Sequence, residues 1–182
     1  MTNKANISRS HFNDVVQGNK YVNEAALLPL EKAIAAIQAS IIDNPQIEEI
    51  IEELAEYTTN RPDREIIGVE KKLENGGRDD LIDNAVYLKN KFERFLAKKQ
   101  LSLVEQHVYA HVLAMIDTTF NQKIRPLILD GRSKAEVDAA VHECIIEPVY
   151  QSVVGYNSSV TSNLVAGMLY FLTGKCHLIW GK

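Results

Sequence analysis

The helical spacing of apolar residues is the feature that most constrains the fold of this chain. From Asn23 to Lys175, large aliphatic and aromatic side chains recur at intervals of three and four residues. This spacing places them on one face of a helix, whereas a half-buried strand alternates every second residue. No stretch in that range has the alternation expected of a set of strands, and no repeat period emerges. The pattern predicts an all-α fold, a bundle of six or seven helices.

Two of the helix starts are marked by capping boxes. Ser102 precedes Glu105 and Ser133 precedes Glu136 by three residues, and in both cases an apolar-periodic segment follows. In this motif the serine hydroxyl and the glutamate carboxylate each accept a hydrogen bond from a backbone N–H that the helix itself cannot satisfy. Helix stops are expected at Gly76-Gly77, Asp130-Gly131 and Gly174. A kink or stop is expected near Pro126 and a bend at Pro148.

The first 23 residues differ from the rest of the chain. They are rich in Asn, Ser, Lys and Gln, and Gly18-Asn19 lies between two short β-prone runs. Such a pair favours a β-hairpin turn. Because an isolated hairpin is only marginally stable in water, we expect this arm to be either mobile or paired with another surface. The predicted organisation is therefore an N-terminal arm over 1–23 and one helical domain over 24–182.

Composition places the chain among soluble globular proteins. Hydrophobic residues make up 46%, and 20 Lys and Arg stand against 24 Asp and Glu, a net charge of −4. The chain lacks the basic excess of a protein that binds phosphates generically. It begins with a polar segment that is unlike a signal peptide, and its longest apolar stretch, 164–172, is too short to span a bilayer. The two cysteines are expected to be reduced, and we predict a cytoplasmic protein without membrane association.

One pair of histidines has the spacing of a metal site. His107 and His111 are four residues apart on a predicted helix, so both imidazoles can face one ion. A hydrolytic zinc helix also has Glu directly after the first His, and Val108 stands there instead. We therefore predict no bound metal, no cofactor and no enzymatic activity. A metal-dependent helical enzyme using these histidines remains the alternative.

Charge patterning raises a further alternative. The acidic run over 48–56 is typical of a solvated helix face, or of a face that docks a partner. A nucleic-acid-binding adaptor would instead use seven cations that lie between residues 71 and 99: Lys71, Lys72, Lys89, Lys91, Arg94, Lys98 and Lys99. Nucleic acid is expected to be contacted only indirectly.

The second half of the chain resembles a known family. An ordered series of segments runs through 73–85, 109–116, 120–128, 131–137 and 145–149, and it ends with Gly-Met-Leu-Tyr-Phe-Leu-Thr-Gly-Lys-Cys-His-Leu-Ile-Trp over 167–180. This series resembles the C-terminal domains of the ABC-three-component anti-phage defence systems, which are related to Lamassu. The ending carries the most specific residues of the resemblance: Gly167, Met168, Tyr170, Phe171, Leu172, Thr173, Gly174, Cys176, His177 and Trp180.

The resemblance implies an accessory module that couples an effector to an SMC-like ABC ATPase and a small middle component. In relatives a nuclease or protease effector commonly precedes this domain, whereas here only the arm does, so we expect an adaptor that forms a homo-oligomer. The residues of the ending are expected to be structural or to bind a partner. We predict that Leu178, Ile179 and Trp180 pack against the bundle, with a helix carbonyl accepting the indole N–H.

Overall fold

The computed structural model describes residues 54–99 and 103–181. Several predictions therefore lie outside the described residues. They are the hairpin within 1–23, the helices expected between 26 and 53, and the capping box that begins at Ser102.

Helices form almost all of the described chain. Residues 54–58 are helical, and they are followed by α1 (Gly68–Asn75), a 3₁₀ turn (Asp79–Leu81), α2 (Ile82–Lys99) and α3 (Leu103–Thr119). The remaining helices are α4 (Arg125–Leu129), α5 (Lys134–Val141), α6 (Glu147–Val154) and α7 (Ser162–Gly174). No strand occurs among the described residues, so the predicted all-α class is confirmed. None of the described helices is long and apolar enough to cross a membrane.

Two π-helical turns join neighbouring helices into longer segments. The turn over Phe120–Ile124 connects α3 to α4, and the turn over His142–Ile146 connects α5 to α6. Each turn directly precedes a helix that carries proline in its first turn. Proline has no backbone N–H, and its ring collides with the carbonyl four residues earlier in an α-helix. The wider π turn relieves both problems, so each helical segment continues past its proline.

Three helices end with one residue in the left-handed conformation. These residues are Gly77 (φ 66°), Gly131 (φ 73°) and Cys176 (φ 70°), and each takes part in the paired backbone hydrogen bonds of a Schellman motif. The predicted stop at Gly174 is correct for the end of α7, but the left-handed residue comes two positions later. Gly174 instead provides space, because a Cβ there would lie 3.1 Å from Cε of Lys89.

The capping box that lies within the described residues is confirmed. Ser133 Oγ accepts a hydrogen bond from the backbone N–H of Glu136, and the Glu136 carboxylate accepts one from the backbone N–H of Ser133. The last helix begins with a similar signal, since Thr161 Oγ1 accepts from the N–H of Leu164.

The core is centred on α7, which packs most extensively against α2. Nine of the thirteen residues of α7 are buried. At the crossing point, a Cβ on Gly167 would lie 2.5 Å from the carbonyl oxygen of Leu88 and 3.1 Å from Cβ of Phe92. Only glycine allows the two backbones to approach so closely.

Candidate functional site

The residues after α7 form a C-terminal tail that packs on the helical bundle. Within this tail (175–181), Leu178 is fully buried and Trp180 is 2% exposed, whereas Ile179 is 37% exposed. The predicted packing is therefore confirmed for Leu178 and Trp180 and wrong for Ile179. Successive side chains of an extended segment point to opposite sides, so burying the residues on either side of Ile179 turns Ile179 outward.

Trp180 is enclosed by aromatic rings and has its N–H satisfied. Its ring centroid lies 5.1 Å from that of Phe120 and 6.5 Å from that of Tyr170. The indole Nε1 donates to Thr173 Oγ1 at 3.0 Å, and the Thr173 hydroxyl in turn donates to the Leu169 carbonyl at 3.0 Å. A helix carbonyl was expected as the partner of the indole, and a side-chain hydroxyl of the same helix takes that place. Both members of the chain of hydrogen bonds are buried, so both are costly to break.

Two glycines make room for the tail. A Cβ on Gly76 would lie 2.8 Å from Cβ of Trp180, and a Cβ on Gly181 would lie 3.0 Å from the Asn75 carbonyl oxygen. The end of α1 and the end of the tail are therefore in direct backbone contact. Gly76 was expected to serve only as part of a helix stop, and its contact with Trp180 is a second reason for glycine at this position.

Three cationic side chains bind backbone carbonyls of the tail and of the end of α7. Arg64 donates to the carbonyls of residues 176 and 177 at 2.8 and 2.7 Å, and Lys72 donates to the Thr173 carbonyl at 2.7 Å. Arg125 donates to the carbonyls of Ile179 and Gly181. Sequence reasoning missed these contacts because their acceptors are backbone carbonyls, which leave no mark on residue type.

His177 is the buried imidazole of the tail. It is 4% exposed, its ring lies 5.4 Å from the Tyr57 ring, and its Nε2 has no hydrogen-bond partner among the described residues. Burial lowers the pKa of His177, against the opposing influence of the Asp117 carboxylate and a hydrogen bond with the backbone of Thr59. The neutral imidazole is therefore favoured. Desolvation in turn raises the pKa of Asp117.

A buried arginine lies beside Trp180. Arg78 is 4% exposed, and its Cζ lies 5.6 Å from the centre of the Trp180 ring. Its Nη2 donates to Asp138 at 2.7 Å and to Asp80 at 3.3 Å. Burial acts to lower the pKa of Arg78, but the hydrogen bonds with the two carboxylates outweigh it and the net shift is upward. Lys134 donates to Asp80 at 2.7 Å, and the hydrogen bonds from Lys134 and Arg78 lower the pKa of Asp80 to about 2.

The structure brings the residues of the 167–180 ending together at this place. All of those singled out in the sequence are buried except Gly174, which is half-buried. They form α7 and the inner side of the tail. A role for them in binding a partner stays a prediction, as does the absence of a bound metal. His107 and His111 are both half-buried on α3, and among the described residues no group of three potential metal ligands occurs.

The cations proposed for the nucleic-acid-binding alternative have different surroundings in the structure. Lys71 pairs with Glu74 at 2.6 Å and Lys89 with Glu93 at 3.0 Å, while Lys72 binds the Thr173 carbonyl in α7. Three others share the outward face of α2, spaced three and four residues apart: Lys91, Arg94 and Lys98. Among the six of these cations whose side chains the structure describes, three therefore already bind acceptors within the domain.

The fold and the tail define an all-α domain that is closed by its own C-terminal residues. Residues 68–180 match the family model for C-terminal domain 9 of the ABC-three component (ABC-3C) systems, and the chain belongs to this family. This match confirms the resemblance seen in the sequence. The comparison with curated proteins and that with solved structures gave no match.

Proposed function

We propose that this chain is a non-enzymatic adaptor of an ABC-3C defence system, and that it couples an SMC-like ABC ATPase and a middle component through protein–protein contacts. Membership of the family over residues 68–180 is the observation that carries the proposal. It makes the other components of such a system the expected partners.

The face that carries the tail is the surface that would bind the partner. Large apolar side chains are exposed on it or beside it: Ile66, Leu129 and Ile179. Ile66 precedes Ile67, which lines a cavity of about 300 Å³ together with Ile179 and Leu178. Leu129 lies one helical turn beyond Arg125, whose guanidinium binds the Ile179 carbonyl. Exposed apolar residues that lie near each other mark interaction surfaces more often than scattered ones do.

The anchoring of the tail suits such a role. Arg64 and Arg125 hold the backbone on both sides of Leu178, and Trp180 is fixed in the core. The Ile179 side chain is therefore presented from a segment that is already ordered. A preorganised surface loses less conformational entropy when it binds, which favours affinity.

Copurification tests the proposal. The chain is co-expressed with an SMC-like ABC ATPase and a middle component of an ABC-3C system, with an affinity tag on the ATPase. We expect the chain to elute with the complex, and we expect Ile179→Glu and Leu129→Glu to abolish that elution because a carboxylate would be buried unpaired in the interface. Thr118→Glu, at an exposed position of α3, is the matched control and should elute as wild type does.

Measurements on the isolated protein distinguish a loss of binding from a loss of folding. Both variants should melt within a few degrees of wild type, since they alter exposed side chains. A chain that never elutes with either component, or whose elution is indifferent to both glutamate substitutions, would contradict the proposed surface. Light scattering on the isolated chain then tells whether the same face joins two copies.

A further inference from the structure

A cavity of about 400 Å³ lies beside Trp180. Its walls come from the turn after α1, the turn after α4, the start of α5 and the end of the tail. Glycines supply much of the wall: Gly76, Gly77, Gly131 and Gly181. A volume of this size falls within the range of small-molecule sites in proteins.

The charged side chains that line the cavity are all cationic. They are Arg78, Arg132 and Lys134. Their acidic partners, Asp80, Glu136 and Asp138, do not line the cavity and are about half exposed. The cavity therefore has cationic hydrogen-bond donors in its wall and no carboxylate among its lining residues.

Arg78 is not fully satisfied in this arrangement. Its Nη2 binds both carboxylates, but Nε and Nη1 have no hydrogen-bond partner among the described residues, although both atoms are buried. The Trp180 ring attracts the guanidinium, yet an aromatic face is a weak hydrogen-bond acceptor. Leaving two donors of a buried cation without an acceptor is costly, and such a group usually indicates a missing partner.

We propose that this cavity is a binding site for an anionic group, a carboxylate or a phosphate. Each of these groups has several oxygen atoms that can accept charge-assisted hydrogen bonds from arginine and lysine at the same time. Arg78 would form the deep end of the site, and Arg132 and Lys134 its rim. The site does not depend on the adaptor role, since it is argued from the cavity alone.

Trp180 is the single tryptophan of the chain and lines the cavity, so its fluorescence reports on binding directly. The purified protein is titrated separately with sodium phosphate and sodium acetate, at an ionic strength held constant with sodium chloride. We expect a saturable change in Trp180 emission with at least one of the two probes, accompanied by a rise in melting temperature. The probe that binds more tightly identifies the class of anion.

Matched variants separate a site from a general effect of salt. Arg132→Gln combined with Lys134→Gln removes two rim cations whose side chains are more than half exposed, so the fold should persist. We expect the apparent affinity to fall roughly tenfold or more, since hydrogen bonds to charged groups are lost. Lys71→Gln combined with Lys98→Gln removes the same charge outside the cavity and should bind as wild type does.

Arg78→Lys provides a second line of evidence. It keeps the charge but removes the Nε and Nη1 donors, so a folded variant should also bind more weakly than wild type. An emission change that never saturates, or one that is equal in the rim variant and its control, would overturn the proposal. So would the absence of any response to both probes.

Discussion

At the scale of single residues, Trp180 and Ile179 are neighbours with opposite energetic roles. Trp180→Ala removes a buried indole between Phe120 and Tyr170, and it leaves Thr173 without the donor that it binds. We expect the free energy of unfolding to fall by about 3–5 kcal/mol, the usual cost of truncating a buried aromatic side chain. Urea denaturation followed by circular dichroism measures it.

Ile179→Ala is the matched control, because it shortens the adjacent, outward-facing side chain of the same segment. Its effect on stability should stay within roughly 0.5 kcal/mol, as for most surface substitutions. Equal losses in the two variants would mean that the tail packs differently from the structure. A Trp180→Ala variant as stable as wild type would mean that Trp180 serves a partner and not the core.

His177 should make stability depend on pH. Burial holds its pKa below the ordinary value of 6.5, so the unfolded chain binds a proton before the folded one does. Stability is then lost as the pH falls below about 6.5 towards the lower folded pKa, and it is unaffected above that range. The raised pKa of Asp117 acts in the opposite direction, because a protonated Asp117 favours the folded state.

The comparison of wild type with His177→Gln isolates the histidine from the other titrating groups. Melting temperatures measured between pH 5 and 8 should converge or cross as the pH falls, because the neutral variant has no imidazole to protonate. Curves that remain parallel across this range would show that His177 is not held neutral by the fold.

At the scale of helices, the left-handed helix ends explain where glycine is required. Gly77 has φ 66°, and a Cβ there would meet nothing within 4 Å, so Gly77→Ala tests backbone strain alone. We expect a loss of about 1–2 kcal/mol. Gly155 is equally open but has φ −67°, so Gly155→Ala should be neutral or slightly stabilising. Thermal denaturation of the pair tests this, and similar melting temperatures would contradict the assigned conformations.

The same helix ends show how far local sequence predicts this fold. Helix positions, the capping box at Ser133 and the stops near Gly77 and Gly131 follow from periodicity and from residue types with strong local preferences. The left-handed conformation of Cys176 could not be predicted, since a cysteine has no preference for it and is held there by tertiary contacts. Cys176 is fully buried, and its Sγ lies 3.4 Å from the Glu65 carbonyl.

The π turns were missed for a related reason. The prolines at 126 and 148 predict a disturbance of the helix, and either a kink, an end or a widened turn satisfies that requirement. The outcome is decided by packing. Both π turns have residues buried in the core, among them Phe120, which touches Trp180, and Ile145.

At the scale of the whole molecule, the tail connects parts of the chain that are far apart in sequence. Arg64 reaches carbonyls 112 and 113 residues away, and Arg125 reaches carbonyls 54 and 56 residues away. The family match could be anticipated from the ordered residues of the ending. The mode of attachment and the cavity beside Trp180 could not, because both arise from side chains of separate helices that meet only in the folded state.

Removal of the tail should therefore unfold more than the tail. Deleting residues 176–182 takes away two fully or nearly fully buried apolar side chains, Leu178 and Trp180, each of which contributes about 1.5–3 kcal/mol by burial. It also exposes the rings of Phe120 and Tyr170 and frees Arg64 and Arg125 from their acceptors. The combined loss is comparable with the whole stability of an ordinary domain, about 5–15 kcal/mol.

We expect the truncated chain to lose its cooperative thermal transition, whereas the full-length Ile179→Ala variant keeps it. Hydrogen exchange should then show α1 and α7 losing protection together, because α1 contacts the tail through Gly76 and α7 through Thr173. A truncated chain that melts cooperatively near the wild-type temperature would show that the bundle is complete without its tail.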